Sequence, residues 1–357
     1  MARGVLAVGL NTWLARRAAR CPHVFIAEAP GAWRQRAALE RRALRWGWHL
    51  CDSPGSADVL AICGALGPEL TVAIGRVWDQ LPGPRAGLRL TGTEIDDAEI
   101  DAALERAQIY LADTTVQRSD ARERQPPAIP SVKRQNIREQ GYGHHEHHQH
   151  GHQGHGQMAP SGISLAEGGP DRDGLEMDLL HIRLGPVLSH WPASLVVRCA
   201  LQGDLIVEAR AQVLDAGDAR WSPARSPRIE AARECDRLTS LLSLAGWPYA
   251  ASRARRVRDL LLTTDGPAVQ ELDALNRMVT RSRIFGWSMR GVTDGHTAAL
   301  TRARALLTGW APPADTVTTL VDLPDRIVGL ELAAARLVVA GLDVLQPASV
   351  QREATDD

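Results

Sequence analysis

Between residues 22 and 113 apolar runs alternate with amphipathic ones. Residues 23–27 (HVFIA) are continuously apolar and end at Pro30-Gly31, which predicts a buried strand; the Arg- and Ala-rich stretch 34–46 predicts a helix. A second strand is predicted over 57–63 (ADVLAIC), running into Gly64. Residues 70–81 predict a helix closed by Pro82-Gly83-Pro84, 87–90 a third short strand, and 96–110 a helix whose acidic first turn suits its dipole. Strands separated by helices imply a parallel sheet with helices on its faces.

From about residue 117 to 161 the periodicity disappears and the residues turn polar. At the centre, residues 141–157 read GYGHHEHHQHGHQGHGQ. This composition predicts a disordered linker between a domain over 1–116 and a second over 162–357. In the second region, 179–184 and 194–214 are rich in Val, Ile and Leu, and Gln202-Gly203-Asp204 falls at a turn, so a hairpin is expected. The rest is amphipathic at helical spacing: 228–245, 248–262 opened by Pro248, 269–279, 297–308 and 325–342. The fold class expected is α/β in the first half and α+β, a short hairpin plus a helical bundle, in the second.

Charge narrows the partners. The formal net charge is -1 over 357 residues, which gives no bulk electrostatic reason to expect nucleic acid. Lys133 is the only lysine, so nearly every basic residue is Arg, a bias read as genomic base composition. Cys21, Cys51, Cys63, Cys199 and Cys235 are widely spaced with no C-x-x-C, which fits neither a disulfide framework nor a standard metal box and points to a reduced, cytoplasmic setting. The apolar run 5–14 is broken by Asn11 and followed by Arg16, Arg17 and Arg20, so it reads as an interfacial helix and not as a membrane span.

Residues 53–85, SPGSADVLAICGALGPELTVAIGRVWDQLPGPR, resemble the central segment SPRxADxLLVxGxxTxxMxxALxRxYDQxPEPR of the small (B-type) subunit of complex I and of membrane-bound nickel-iron hydrogenases. The likeness covers roughly 5–113 and implies a flavodoxin-like parallel sheet. In that family a 4Fe-4S cluster is held by cysteines on the turns after the first and third strands, because soft anionic sulfur holds iron in a cubane. Here those turns read Glu28-Ala29-Pro30-Gly31-Ala32-Trp33-Arg34-Gln35 and Leu90-Thr91-Gly92-Thr93-Glu94, with no cysteine or histidine, so no cluster is expected. Residues 180–213, LHIRLGPVLSHWPASLVVRCALQGDLIVEARAQV, are similar to the opening of the large (D-type) subunit of the same complexes. Gly185-Pro186, His190 with Pro192-Ala193, and Gln202-Gly203-Asp204 carry that likeness, and the R-x-C-G-x-C nickel ligands of hydrogenases are absent. Together the two likenesses imply a fused, cofactor-free relative of both subunits.

Three constellations are weighed for chemistry. His144, His145, His147, His148, His150, His152 and His155 lie at spacings that bind Ni(II) or Zn(II), although a tolerant linker expands such a tract without any role. His190 corresponds to the family histidine that hydrogen-bonds a quinone headgroup, and a histidine satisfied in a turn is the plainer reading. The Arg-rich run 252–259 (SRARRVRD) reads as a solvated helix face, and Asp58, Glu69 and Asp79 form no facing pair for acid-base work. The expected function is a structural subunit or assembly factor of a complex I-like or hydrogenase-like oxidoreductase, partnered by its subunits and touching the membrane's inner face only through them. Two alternatives stand beside it: an active quinone-linked (NADH-quinone oxidoreductase-like) subunit with His190 as its weak catalytic candidate, and a nickel or zinc delivery protein built on the His tract.

Overall fold

The structure is a computed structural model that describes residues 13, 16–92, 96–124, 167–170, 176–215, 226–263, 266–310 and 320–342. The His tract lies outside the described residues.

The first half is built on a parallel sheet of β1 (His23–Glu28), β2 (His49–Leu50), β3 (Val59–Cys63) and β4 (Ala86–Leu90) in the order β2-β1-β3-β4. This is the order of the first four strands of a flavodoxin-like sheet. Every residue of β3 is buried, as expected of a central strand covered on both faces, whereas β4 alternates buried and exposed at the edge. Helix α1 (Trp33–Arg45) connects β1 to β2, a 3-10 turn at Pro54–Ser56 lies between β2 and β3, α2 (Pro68–Gln80) connects β3 to β4, and α3 (Asp97–Ala112) follows β4. Asp96 caps α3 by accepting from the Ala98 amide at 2.9 Å.

The folded part of this half extends past residue 116, where the composition places the linker. Helix α4 (Thr114–Glu123) follows α3 directly, capped by Asp113. The buried Arg85, last residue of the family-like segment, holds it: its guanidinium meets Asp120 at 2.9 Å and the Trp78 carbonyl at 2.7 Å, and lies 4.4 Å over the Trp78 ring. The Gln117 side-chain amide brackets the Arg85 backbone, accepting at 2.9 Å and donating at 3.0 Å. Because those contacts are tertiary, the polar sequence of α4 reads as linker when taken alone.

The second half opens with an antiparallel sheet, β5 (Glu167–Pro170), β6 (Glu176–Leu184), β7 (Leu195–Gln202) and β8 (Leu205–Val213), a meander larger than the expected hairpin. Gly203 at φ +63° makes the β7–β8 turn. The helical part comprises α5 (Pro227–Leu244), α6 (Pro248–Thr263), α7 (Ala268–Arg281), α8 (Arg283–Ser288), α9 (Gly295–Thr308), α10 (Leu323–Ile327) and α11 (Leu332–Gly341). The single helix expected over 325–342 is two, broken at Gly329 (φ +84°), whose amide joins the Ile206 carbonyl at 2.8 Å. One core lies under α5, α6, α7 and α9, and a second between β7, β8, α10 and α11.

Candidate functional site

Where the two halves meet, a cavity of about 420 Å³ opens between the end of β1, the turn after β2, the β6–β7 turn and helix α5. Val24, Ile26, Leu50 and Trp191 give it apolar walls, while Asp52, His190, Arg36 and Asp236 line its polar parts. Concave sites with apolar walls and a few convergent polar groups are the usual form of small-molecule pockets.

Local geometry fixes His190. The β6–β7 turn starts at Gly185, whose φ of +81° suits glycine and where a Cβ would lie 2.0 Å from the Leu195 carbonyl oxygen. The Trp191 indole closes the turn by donating to that same carbonyl at 2.8 Å. His190 itself sits at φ +57°, a conformation few non-glycine residues adopt and one that recurs at functional sites. Its Nε2 lies 3.2 Å from Asp52 Oδ1, and the Ser189 hydroxyl donates to the same oxygen at 3.0 Å. The hydrogen bond from His190 is the main reason that the exposed Asp52 carboxyl is held below its ordinary value. His190 is therefore aimed at a residue of the other half.

Beneath the cavity the halves share a buried ion cluster. Arg36 on α1 reaches Glu28, Glu40 (2.6 Å) and, across the interface, Asp236 on α5. Arg258 on α6, with no exposed side-chain surface, bonds Glu40 at 2.8 Å, Asp236 at 2.7 Å and Asp259 at 2.9 Å. Burial alone would raise the Glu40 carboxyl, but Arg258, Arg36 and Arg255 outweigh it and hold Glu40 well below the carboxylate range. For Asp236 burial is likewise overcome, by Arg36 and Arg258. Burial prevails over Arg36 at Glu28 and over Arg258 at Asp259, and both are raised. The Arg-rich run 252–259 is thus not the solvated face that its sequence suggests: Arg256 is exposed, but Arg258, two residues on, is the centre of the interface. Its apolar neighbours Ala251, Ala254, Val257 and Leu261 carried that signal.

A third contact joins the halves. Asp215, just after β8, caps α2: its carboxylate accepts from the Leu70 amide at 2.9 Å and the Glu69 amide at 3.3 Å. The Glu69 carboxylate in turn accepts from the Asp215 amide at 3.4 Å. Asp58 serves locally, accepting from the His23 amide at 2.8 Å.

The cubane that the family likeness brings to mind is tested by the residues at the strand ends. The ends of β1, β3 and β4 are tied together, the Ala29 amide to the Cys63 carbonyl and the Gly64 amide to the Leu90 carbonyl, both at 2.8 Å. Gln35 closes the same corner by donating to the Gly92 carbonyl. A Cβ on Gly64 would stand 2.6 Å from the Ala32 methyl and 3.0 Å from the Ala29 methyl. Methyl groups and an amide converge where thiolates would be needed, and they do not fit an iron-sulfur cluster. The nearby Cys63 is buried, which pushes its thiol well above the ordinary value, and Cys51 sits at the cavity wall with its thiol also raised by burial. Among the described residues no group of three or more His, Cys, Asp or Glu side chains is placed to hold a metal ion, and no helix is long and apolar enough to cross a membrane. No family model matches the chain, and no curated protein matches it.

Proposed function

We propose that this protein is a docking or assembly component of a complex I-like or nickel-iron hydrogenase-like oxidoreductase, a single-chain counterpart of the small and large subunits with no redox centre of its own. What supports this reading is the sheet order β2-β1-β3-β4, together with a corner at the ends of β1, β3 and β4 that is filled by Ala29, Ala32 and Gln35. The contacts at Asp52–His190, Asp215–α2 and Arg36–Asp236 add support, since they join the two halves as neighbouring subunits would be joined. Such a component works in the cytoplasm, at the inner face of the membrane where its partners sit. The test is anaerobic purification of the tagged chain from its native cell. Subunits of such an oxidoreductase should co-purify, with no stoichiometric iron or acid-labile sulfide on the chain; about four irons per chain would overturn the reading.

A second reading, a quinone-linked subunit fed by a partner's cluster, is favoured by one observation: His190 and Asp52 stand 3.2 Å apart on the wall of an apolar-sided cavity. A histidine held by a carboxylate in this way can donate to a carbonyl oxygen and pass on a proton. The two readings part at His190→Ala. Under the first, the variant assembles and the complex turns over as before; under the second, it assembles normally but quinone-dependent turnover falls by about 10²-fold or more.

A further inference from the structure

Helix α8 leaves large apolar side chains in water at one end of the helical domain. Ile284 is 82% exposed and Trp287 is 72% exposed, and their spacing of three puts them on one helix face. Phe285, one of the two residues between them, does the opposite: it is buried, its ring 5.3 Å from that of Trp247 and 4.9 Å from that of His296. Met289 is buried on the far side, so α8 is anchored at both ends with its outer face free. Tyr249, two residues beyond Trp247, is 60% exposed in the first turn of α6.

The charge near this face is predominantly basic, with the exposed Asp294 at the start of α9 as the neighbouring acid. Residues 274–293 contain Arg277, Arg281, Arg283 and Arg290, all exposed, and no acidic residue. Asp273, the acid just before the stretch, is engaged by Arg304 at 2.8 Å. A projecting indole and a β-branched side chain set among guanidinium groups match the layered chemistry of an anionic bilayer surface. The indole sits at headgroup level, the aliphatic chain reaches the acyl boundary, and Arg bonds phosphate in a fork. The short helix would lie in the plane of the surface without crossing it.

We propose that Ile284 and Trp287, with Arg281, Arg283 and Arg290, form a peripheral contact site for an anionic lipid surface. This goes beyond the docking role and stands independently of it, because it asks for membrane contact by the chain itself in the absence of any partner. The test is flotation of the full-length chain with two kinds of vesicle, phosphatidylcholine alone and phosphatidylcholine mixed with phosphatidylglycerol in roughly equal parts. The chain should float with the anionic vesicles only, and raising salt to about 0.5 M should weaken the binding. Ile284→Ser combined with Trp287→Ala should lower partitioning at least about tenfold, as should Arg281→Glu with Arg283→Glu. Neither pair should shift the thermal midpoint, since all four side chains are exposed. No flotation with anionic vesicles, equal flotation with neutral ones, or undiminished flotation of either double variant would overturn the proposal; the last outcome would place the contact elsewhere, for instance at the exposed Trp13 with Arg16 and Arg17.

Discussion

Arg258 shows how one side chain fixes an interface. It is fully enclosed, yet it belongs to a cluster in which Glu40 comes from α1 and Asp236 from α5. Replacing it by Met, of comparable length, would take a cationic partner from Glu40, Asp236 and Asp259, leaving Arg36 alone to bridge the first two, at a cost of about 3–5 kcal/mol. Urea unfolding of Arg258→Met against the parent measures this directly. The cluster also predicts an acid response. A carboxyl held low in the folded state stabilises at pH values above its unfolded pKa, about 4, and that stability is lost as pH falls through the folded value. Glu40 and Asp236 have this sign; Glu28 and Asp259, being raised, have the opposite one and regain stability as they protonate. The share carried by Glu40 and Asp236 should therefore appear as a fall in stability below about pH 4. Glu40→Gln should flatten that limb of a stability-against-pH curve, and an unchanged limb would mean that other carboxyls control it.

At the scale of elements, α2 is instructive because its cap comes from the other half of the chain. Gly67 precedes Pro68 and has no side chain to cap with, and the first amides of the helix turn to Asp215 instead. Asp215→Ala should cost about 1 kcal/mol and loosen the halves, whereas Asp215→Asn should recover most of the loss; differential scanning calorimetry distinguishes the two. Gly67→Ala should be worse than either cap variant, since its methyl would stand 2.2 Å from the Asp215 Cγ. Most strands and helices were legible from local pattern within a few residues, because an apolar run or a helical stripe reports the dihedral preference and the burial of its own segment. The misses were of another kind. Strands β2 and β5 and helix α8 are too short to show a period, and α4 is polar and held by Arg85.

For the molecule as a whole, the chain between residues 124 and 167 need not hold the halves together. The interface contains a buried ion cluster, a helix cap and the Asp52–His190 contact. Limited proteolysis between 125 and 166 should therefore yield two fragments that co-elute as one particle in gel filtration. Separation of the fragments at physiological salt would show that the interface needs its tether. Salt alone should separate them only weakly, because buried pairs are screened far less than exposed ones.

The sequence by itself determined the α/β character of the first half, the mixed character of the second, the lack of cysteine at the strand-end turns and the turn that presents His190. Each of these is written in a contiguous stretch, as periodicity, as residue type or as a glycine with a required backbone. The tertiary structure alone decided which charges are buried. Arg256 and Arg258 look alike in the run SRARRVRD, and only the docking of α6 against α1 and α5 encloses one and leaves the other in water. It also decided that Asp52 faces His190, that Asp215 caps α2 and that a cavity lies between the halves. The pairings between the halves join residues from 138 positions apart, Asp52 with His190, to 218, Glu40 with Arg258. Local propensities carry no information about such partners, because the partner is chosen by how two folded surfaces fit.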